Sequence, residues 1–277
     1  MVKSEIIKKK LSNGLTIIFL KNKEKKVLIN VAIGTGHLSE KANNQGVSHF
    51  IEHVLWEGSK NYPNYASIKD VTEKLNLEYN AFTGATKTGY YIVSSRKNFE
   101  NALDLILNVV QNPLFNEGAI EKQRKIIFNE LNQHEDHIQY QSMKLTLDYL
   151  LPDEFPRFNP MGSKESLASL TKEDLKKHYS TYYATNNMVI VISGDIKSPF
   201  KLIEKKITLS SKKIPKKAQL EMKNISGEVI SKLVKNTGTS YITQVYPAVP
   251  STHKDSEPLN VISTMLCEGR LCLQDII

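Results

Sequence analysis

The stretch GVSHFIEHVLWEGS, residues 46–59, sets the strongest limit on how this chain folds. At about 100° per residue, a helix through it gathers Val47, Phe50, Ile51, Val54 and Leu55 into one stripe and turns His49, Glu52 and His53 to the opposite side. Such a helix must lay its apolar stripe on a sheet or on other helices. Two imidazoles and a carboxylate then face away from that core.

The flanking sequence supplies both kinds of partner. LTIIFL, the polar NKEKK and VLINVAIG read as two strands paired in an antiparallel hairpin. YASIKDVTEKLNL, residues 65–77, has helical spacing, and LEYNAFTGATKTGYYIVSS alternates like two further strands. FENALDLILNVVQNPLF is an amphipathic helix stopped at Asn112-Pro113, and NEGAIEKQRKIIFNELNQHEDH is a long one. Helical patterns at 138–151 and 172–183 and the buried-type strand NMVIVISGDI complete this part. Strands and helices without strict βαβ alternation predict an α+β fold, a mainly antiparallel sheet with helices against one face. SSKKIPKKAQLEMKN, residues 210–224, has the charge and proline of a linker between a domain over 1–209 and the start of another over 225–277. That last part offers one strand, SYITQVYPAVP, and the start of a helix, LNVISTMLCEGRLCLQDII.

Composition removes several classes of function. Lys and Arg outnumber Asp and Glu by 37 to 29, a net charge of +8, but the excess sits in short Lys runs without interleaved Arg or aromatics. Such runs are solvated loops rather than a nucleic-acid site. Cys267 and Cys272 lack His partners at ligand spacing, which argues against a disulfide framework or a Cys-bound zinc. No apolar run near the N-terminus exceeds LTIIFL, too short for a secretory leader, and none later suits a membrane span. The expectation is a soluble cytoplasmic protein with no nucleic-acid or membrane partner.

Two His at i and i+4 on one helical face can offer ring nitrogens to a single ion, and zinc accepts neutral imidazole well. A third protein ligand and an open position for water are then needed. Glu52, beside the second His, is placed to take a proton from such a water, and the order H-x-x-E-H is one of the zinc-peptidase signatures. The competing reading is a solvated polar helix face. A second helix favours the metal: its seam runs through Ile120, Ile127 and Leu131, and Glu130 lies at the seam's edge, where a half-buried carboxylate needs a partner. His134, Glu135, Asp136 and His137, on that helix's last turn, read as solvated. His37, His178 and His253 stand alone, and Asp195 reads as a residue of the turn that ends a strand.

On these residues the chain resembles the pitrilysin/insulinase family of zinc peptidases, in its mitochondrial-processing-peptidase-like branch. LSNGLTIIFL resembles the family's opening strand, GVSHFIEHVLWEGS its metal helix and NAFTGATKTGYY the strand pair that follows. NPLFNEGAIEKQRKIIFNEL resembles the second metal helix, and SLTKEDLKKHYSTYYATNNMVIVISGDI the end of the first half, so the likeness runs in order over residues 4–198.

The resemblance implies one zinc per chain on His49, His53 and Glu130, with Glu52 as general base in the hydrolysis of extended or unfolded peptides. It implies a substrate strand added at Asn80, Ala81, Phe82 and Thr83. The chain departs from the family at Asn129, a position usually acidic, and at Gln123, where a Glu commonly supports catalysis. An amide cannot hold charge, so weaker support of the metal is expected there. The family's second half is represented here only by its beginning, so the expected partner besides peptide is a second copy or a complementary second-half subunit. The alternative is a non-catalytic or partner-dependent subunit of a peptidase-like assembly.

Overall fold

Strands β1 (Glu5–Lys10) and β2 (Thr16–Lys21) meet through a tight turn at Asn13-Gly14. Gly14 takes φ +88°, which costs glycine little, and Asn13 Oδ1 accepts the N–H of Leu15 at 3.1 Å. This computed structural model describes residues 5–150, 159–216, 248–249 and 253–267.

The expected direct pairing of β2 with β3 (Lys26–Ile33) does not form. Strand β6 (Met188–Gly194) lies between them, parallel to β2 and antiparallel to β3, with Ile190 opposite both Ile17 and Val31. The reason is in β6 itself, MVIVISG, which is apolar at successive positions and therefore suits an interior strand with neighbours on both edges. The connection at residues 22–25 has only to cross two strand spacings, about 10 Å. Strands β4 (Glu78–Thr83) and β5 (Thr88–Ser95) pair as expected. The six-stranded order is β1-β2-β6-β3-β5-β4, antiparallel except at β2–β6, with β4 at one edge.

The α+β expectation holds: helices pack against this mainly antiparallel sheet. Helices α1 (Val47–Leu55), α2 (Tyr65–Lys74), α3 (Phe99–Gln111), α4 (Glu117–Asp136), α5 (Ile138–Leu150) and α7 (Lys172–Tyr182) fall where the periodicity puts them. Two short helices, α6 (Lys164–Ser169) and α8 (Phe200–Lys206), were not expected. Helix α1 packs against β4, β5, α4 and α7, and its whole apolar stripe is buried. Phe50, Ile51 and Leu55 are fully buried there, each contributing about 2 kcal/mol. Helix α3 packs on β3 and β5.

The chain divides into two compact units, Met1–Val234 and Lys235–Ile277. In the second, the described helix is α9 (Ser256–Cys267), at the expected helical start, with Val261, Ile262 and Met265 exposed. Most of the expected linker, the strand expected at SYITQVYPAVP and Cys272 lie outside the described residues, apart from Ala248 and Val249 of that strand.

Candidate functional site

The start of α1 is held by its surroundings rather than by a side-chain cap of its own. Gly46 precedes the helix at φ +87°, and a Cβ there would meet Met161 O at 2.4 Å. The Glu40 carboxylate accepts the N–H groups of Gly46 (2.7 Å) and Ser48 (2.8 Å), taking two donors that a helix leaves unpaired at its start. Burial pushes Glu40 up to about 7, against the pull of those same hydrogen bonds. On the other side, His178 of α7 shares its Nε2 between Ser48 Oγ (3.2 Å) and Thr35 Oγ1 (3.1 Å). His178 does not stand alone; it ties α7 to the metal-helix candidate.

Burial lowers His178 to about 4. A histidine held below its unfolded value of 6.5 leaves its proton to the unfolded chain, so its stabilisation is present above 6.5 and is lost as the pH falls through about 4. From pH 7 to pH 5, His178 removes on the order of 2 kcal/mol of stability. His178→Gln flattens that dependence whatever it does to stability at neutral pH, and urea denaturation at both pH values checks it. An unchanged slope would place the proton uptake elsewhere.

Opposite the apolar stripe, α1 faces α4 and β4. Glu130 Oε2 lies 4.0 Å from His49 Nε2 and 3.5 Å from His53 Nε2, and one ligand atom from each residue falls within 4.8 Å of the others. The two imidazole centroids are 4.6 Å apart. The imidazoles do turn away from the core, but not onto a solvated face: the side chains of His49 and His53 are 15% and 18% exposed, and that of Glu130 is 37%. Burial, with smaller contributions from His53 and His134, lowers His49 to about 3, which keeps its imidazole in the neutral form that binds metals.

Glu52 is buried beside this group, and its Oε2 accepts the hydroxyl of Thr83 at the end of β4. Burial raises its carboxyl above the ordinary range and Glu130 adds to the rise, while Thr83 and His53 pull it down. A cleft of about 400 Å³ opens here, lined by His49, Glu52, His53, Trp56, Asn80 and Glu130 among others. Of the four expected substrate residues, Asn80 and Ala81 line the cleft and Thr83 touches Glu52. Phe82 lies over Gly89 and near Lys87 instead. Asn80 Oδ1 accepts the N–H of Ala81 at 2.8 Å, occupying a donor of the edge strand.

Four residues of this cleft were not anticipated: Trp56, Glu57, Tyr65 and Tyr79. The rings of Trp56 and Tyr79 are tilted at 43° with centroids 4.6 Å apart, and Glu57 is buried next to Gln123. Glu57 had a signal, since a carboxylate four residues after His53 has the spacing of neighbours on a helix face, although α1 itself ends at Leu55. Tyr79 had none, because its place depends on how β4 meets α1.

The remaining candidates do not line this cleft, and His253, expected to stand alone, does not. His134, Glu135, Asp136 and His137 are exposed, and the group at His49, His53 and Glu130 is the one metal-type cluster among the described residues. Asn129 is also exposed. Asp195 pairs with Arg96 at 2.7 Å just after β6, and His253 lies 3.6 Å from Asp255. His37 is buried. Lys212, in a run expected to be solvated, donates to the carbonyls of Ser180 (2.7 Å) and Tyr183 (3.3 Å) at the end of α7.

Comparison with known proteins adds the following. The family model "Insulinase (Peptidase family M16)" matches residues 16–156, and "Peptidase M16 inactive domain" matches residues 169–274. The probable mitochondrial-processing peptidase subunit beta of Arabidopsis thaliana is 26% identical over 267 residues, which covers 92% of this chain and 49% of that protein. Cytochrome b-c1 complex subunit 1 of Bos taurus is 28% identical over 191 residues, 67% of this chain and 38% of that one. The uncharacterized zinc protease YmfH of Bacillus subtilis (strain 168) is 30% identical over 151 residues, 54% of this chain and 34% of that one. The chain therefore spans about half or less of the length of these curated relatives. Among solved structures, the periplasmic protease PqqL from Escherichia coli superposes with a TM-score of 0.72 at 24% identity, over 80% of this chain and 26% of that one, which shows a shared fold.

Proposed function

The chain belongs to the insulinase family of peptidases (peptidase family M16), and from that premise we propose that it is a zinc-dependent endopeptidase acting on extended or unfolded peptides. The observation that carries this reading is the meeting of His49 and His53 on α1 with Glu130 on α4, with Glu52 buried beside them.

The donor set suits zinc: two imidazoles and one carboxylate leave a fourth position free, the usual composition of a catalytic site. Ligands of one tetrahedral zinc stand about 3.3 Å apart. The separations of 3.5 and 4.0 Å need only a small contraction to reach that value. His49, His53 and Glu130 would hold the ion. When bound, zinc lowers the pKa of a water and polarises the scissile carbonyl. Glu52 takes the proton of the attacking water and returns it to the leaving amine, and a carboxyl raised by burial is suited to both transfers. Thr83 holds one oxygen of Glu52 and leaves the other for the water. Strand β4, paired only with β5, offers its free edge to an extended peptide, and main-chain pairing of that kind tolerates varied sequence.

The test is cleavage of a generic quenched peptide by the purified chain, with chelator and then with zinc restored. Cleavage is expected to stop and to return. A folded, zinc-loaded chain that cleaves nothing would favour the second reading, a subunit that acts only with a second copy or a complementary subunit, or that is not catalytic at all. One observation supports that reading: the similarity to a protein named as a subunit of a complex.

A further inference from the structure

The carboxylate missing at position 123 is present one hydrogen bond further away. Glu57, just past the end of α1, is buried, and its Oε1 accepts Lys122 Nζ at 2.7 Å and Gln123 Nε2 at 2.5 Å. An ammonium has only N–H groups to give, so this oxygen is an acceptor, and Gln123 must turn its amide N–H toward it. The carbonyl Oε1 of Gln123 then faces His53, 2.9 Å from Nδ1. A carbonyl can only accept, so His53 carries its proton on Nδ1 and directs the lone pair of Nε2 toward Glu130.

The other histidine has no such backing: His49 Nδ1 is buried without a hydrogen-bond partner among the described residues. Of the two imidazoles, His53 is thus the one whose tautomer is fixed by its neighbours. We propose that Glu57 is the positioning carboxylate of this site, acting through the Gln123 amide to fix the His53 tautomer and to strengthen Nε2 as a ligand. The inference rests on the reading of His49, His53 and Glu130 as a metal site. It replaces the expectation that Gln123 leaves the metal poorly supported, because the amide relays a charge that it does not carry.

Losing such a supporting partner weakens metal binding by about 10-fold or more. Glu57→Ala is expected to show that loss in zinc affinity measured by chelator competition, and to shift the metal-free His53 away from its Nδ1–H form in nitrogen-15 NMR. The double variant Q123E/E57Q sets a carboxylate directly on His53 and is expected to recover wild-type affinity. Lys122→Ala breaks the ion pair with Glu57 but leaves the relay, so its affinity is expected to stay within about twofold of wild type, well short of the loss given for a broken partner. The proposal is overturned if Glu57→Ala holds zinc as tightly as wild type with an unchanged tautomer, or if Lys122→Ala loses as much as Glu57→Ala, which would make Glu57 merely an ion-pair partner. A wild-type chain that takes up no zinc sinks the metal reading instead, and the relay then stands or falls on the His53 tautomer alone.

Discussion

Glu52→Gln lowers kcat/KM for a quenched peptide by about a thousandfold while the chain still takes up its zinc. The side chain keeps its shape, and an amide oxygen can still accept the Thr83 hydroxyl that Glu52 holds. What it loses is the ability to take and return a proton. None of the three residues that converge on the metal position is altered, so metal content should not fall. Removing a carboxyl whose charge burial disfavours is expected to leave the fold intact, and thermal unfolding of the variant checks that directly. Zinc content and kcat/KM, measured on one preparation, decide the matter. A variant that still cleaves would take the role of base from Glu52, and one that lost zinc would make Glu52 part of the ligand set.

Helix positions were legible because their signals are local. The stripe Val47, Phe50, Ile51, Val54 and Leu55 is buried as its spacing requires, and the seam Ile120, Ile127 and Leu131 likewise. That Glu130 lies at the edge of this seam follows from the same periodicity, so all three ligand candidates are legible in the sequence. Strand order was not legible, because pairing partners are set by tertiary packing. β2 and β3 are adjacent in sequence and separated by a charged turn, yet β6, more than 150 residues later, lies between them. Strand β1 is hard to read because EIIKKK is almost wholly exposed and shows no buried alternation, although the Asn-Gly turn after it is a fair signal. At the site the same division holds. His49, Glu52 and His53 are one local pattern, whereas the contact between Gln123 and Glu57 exists only because α4 crosses the end of α1.

That crossing gives the second large effect. A zinc held by His49 and His53 from α1 and by Glu130 from α4 would tie two helices together, so binding would stabilise the folded chain as well as equip it for chemistry. With free zinc at 1,000 times the dissociation constant, the gain is about 4 kcal/mol. Glu130→Ala is expected to remove most of that gain and to abolish cleavage, because two imidazoles on one helix remain but the link between helices does not. The variant itself should fold, since the Glu130 side chain is more than a third exposed and the substitution leaves the buried seam residues Ile120, Ile127 and Leu131 unchanged. Thermal unfolding of both chains with zinc and with chelator measures the difference: the wild type shifts upward with zinc, and Glu130→Ala shifts little. If the variant gained as much as the wild type, the third ligand would have to come from elsewhere. His134 would be the first residue to test, because it lies one turn further along α4 and its charge already bears on His49. A double variant at Glu130 and His134 that lost the zinc shift would then assign the ligand to His134, and cleavage by Glu130→Ala would show whether that geometry still supports the reaction.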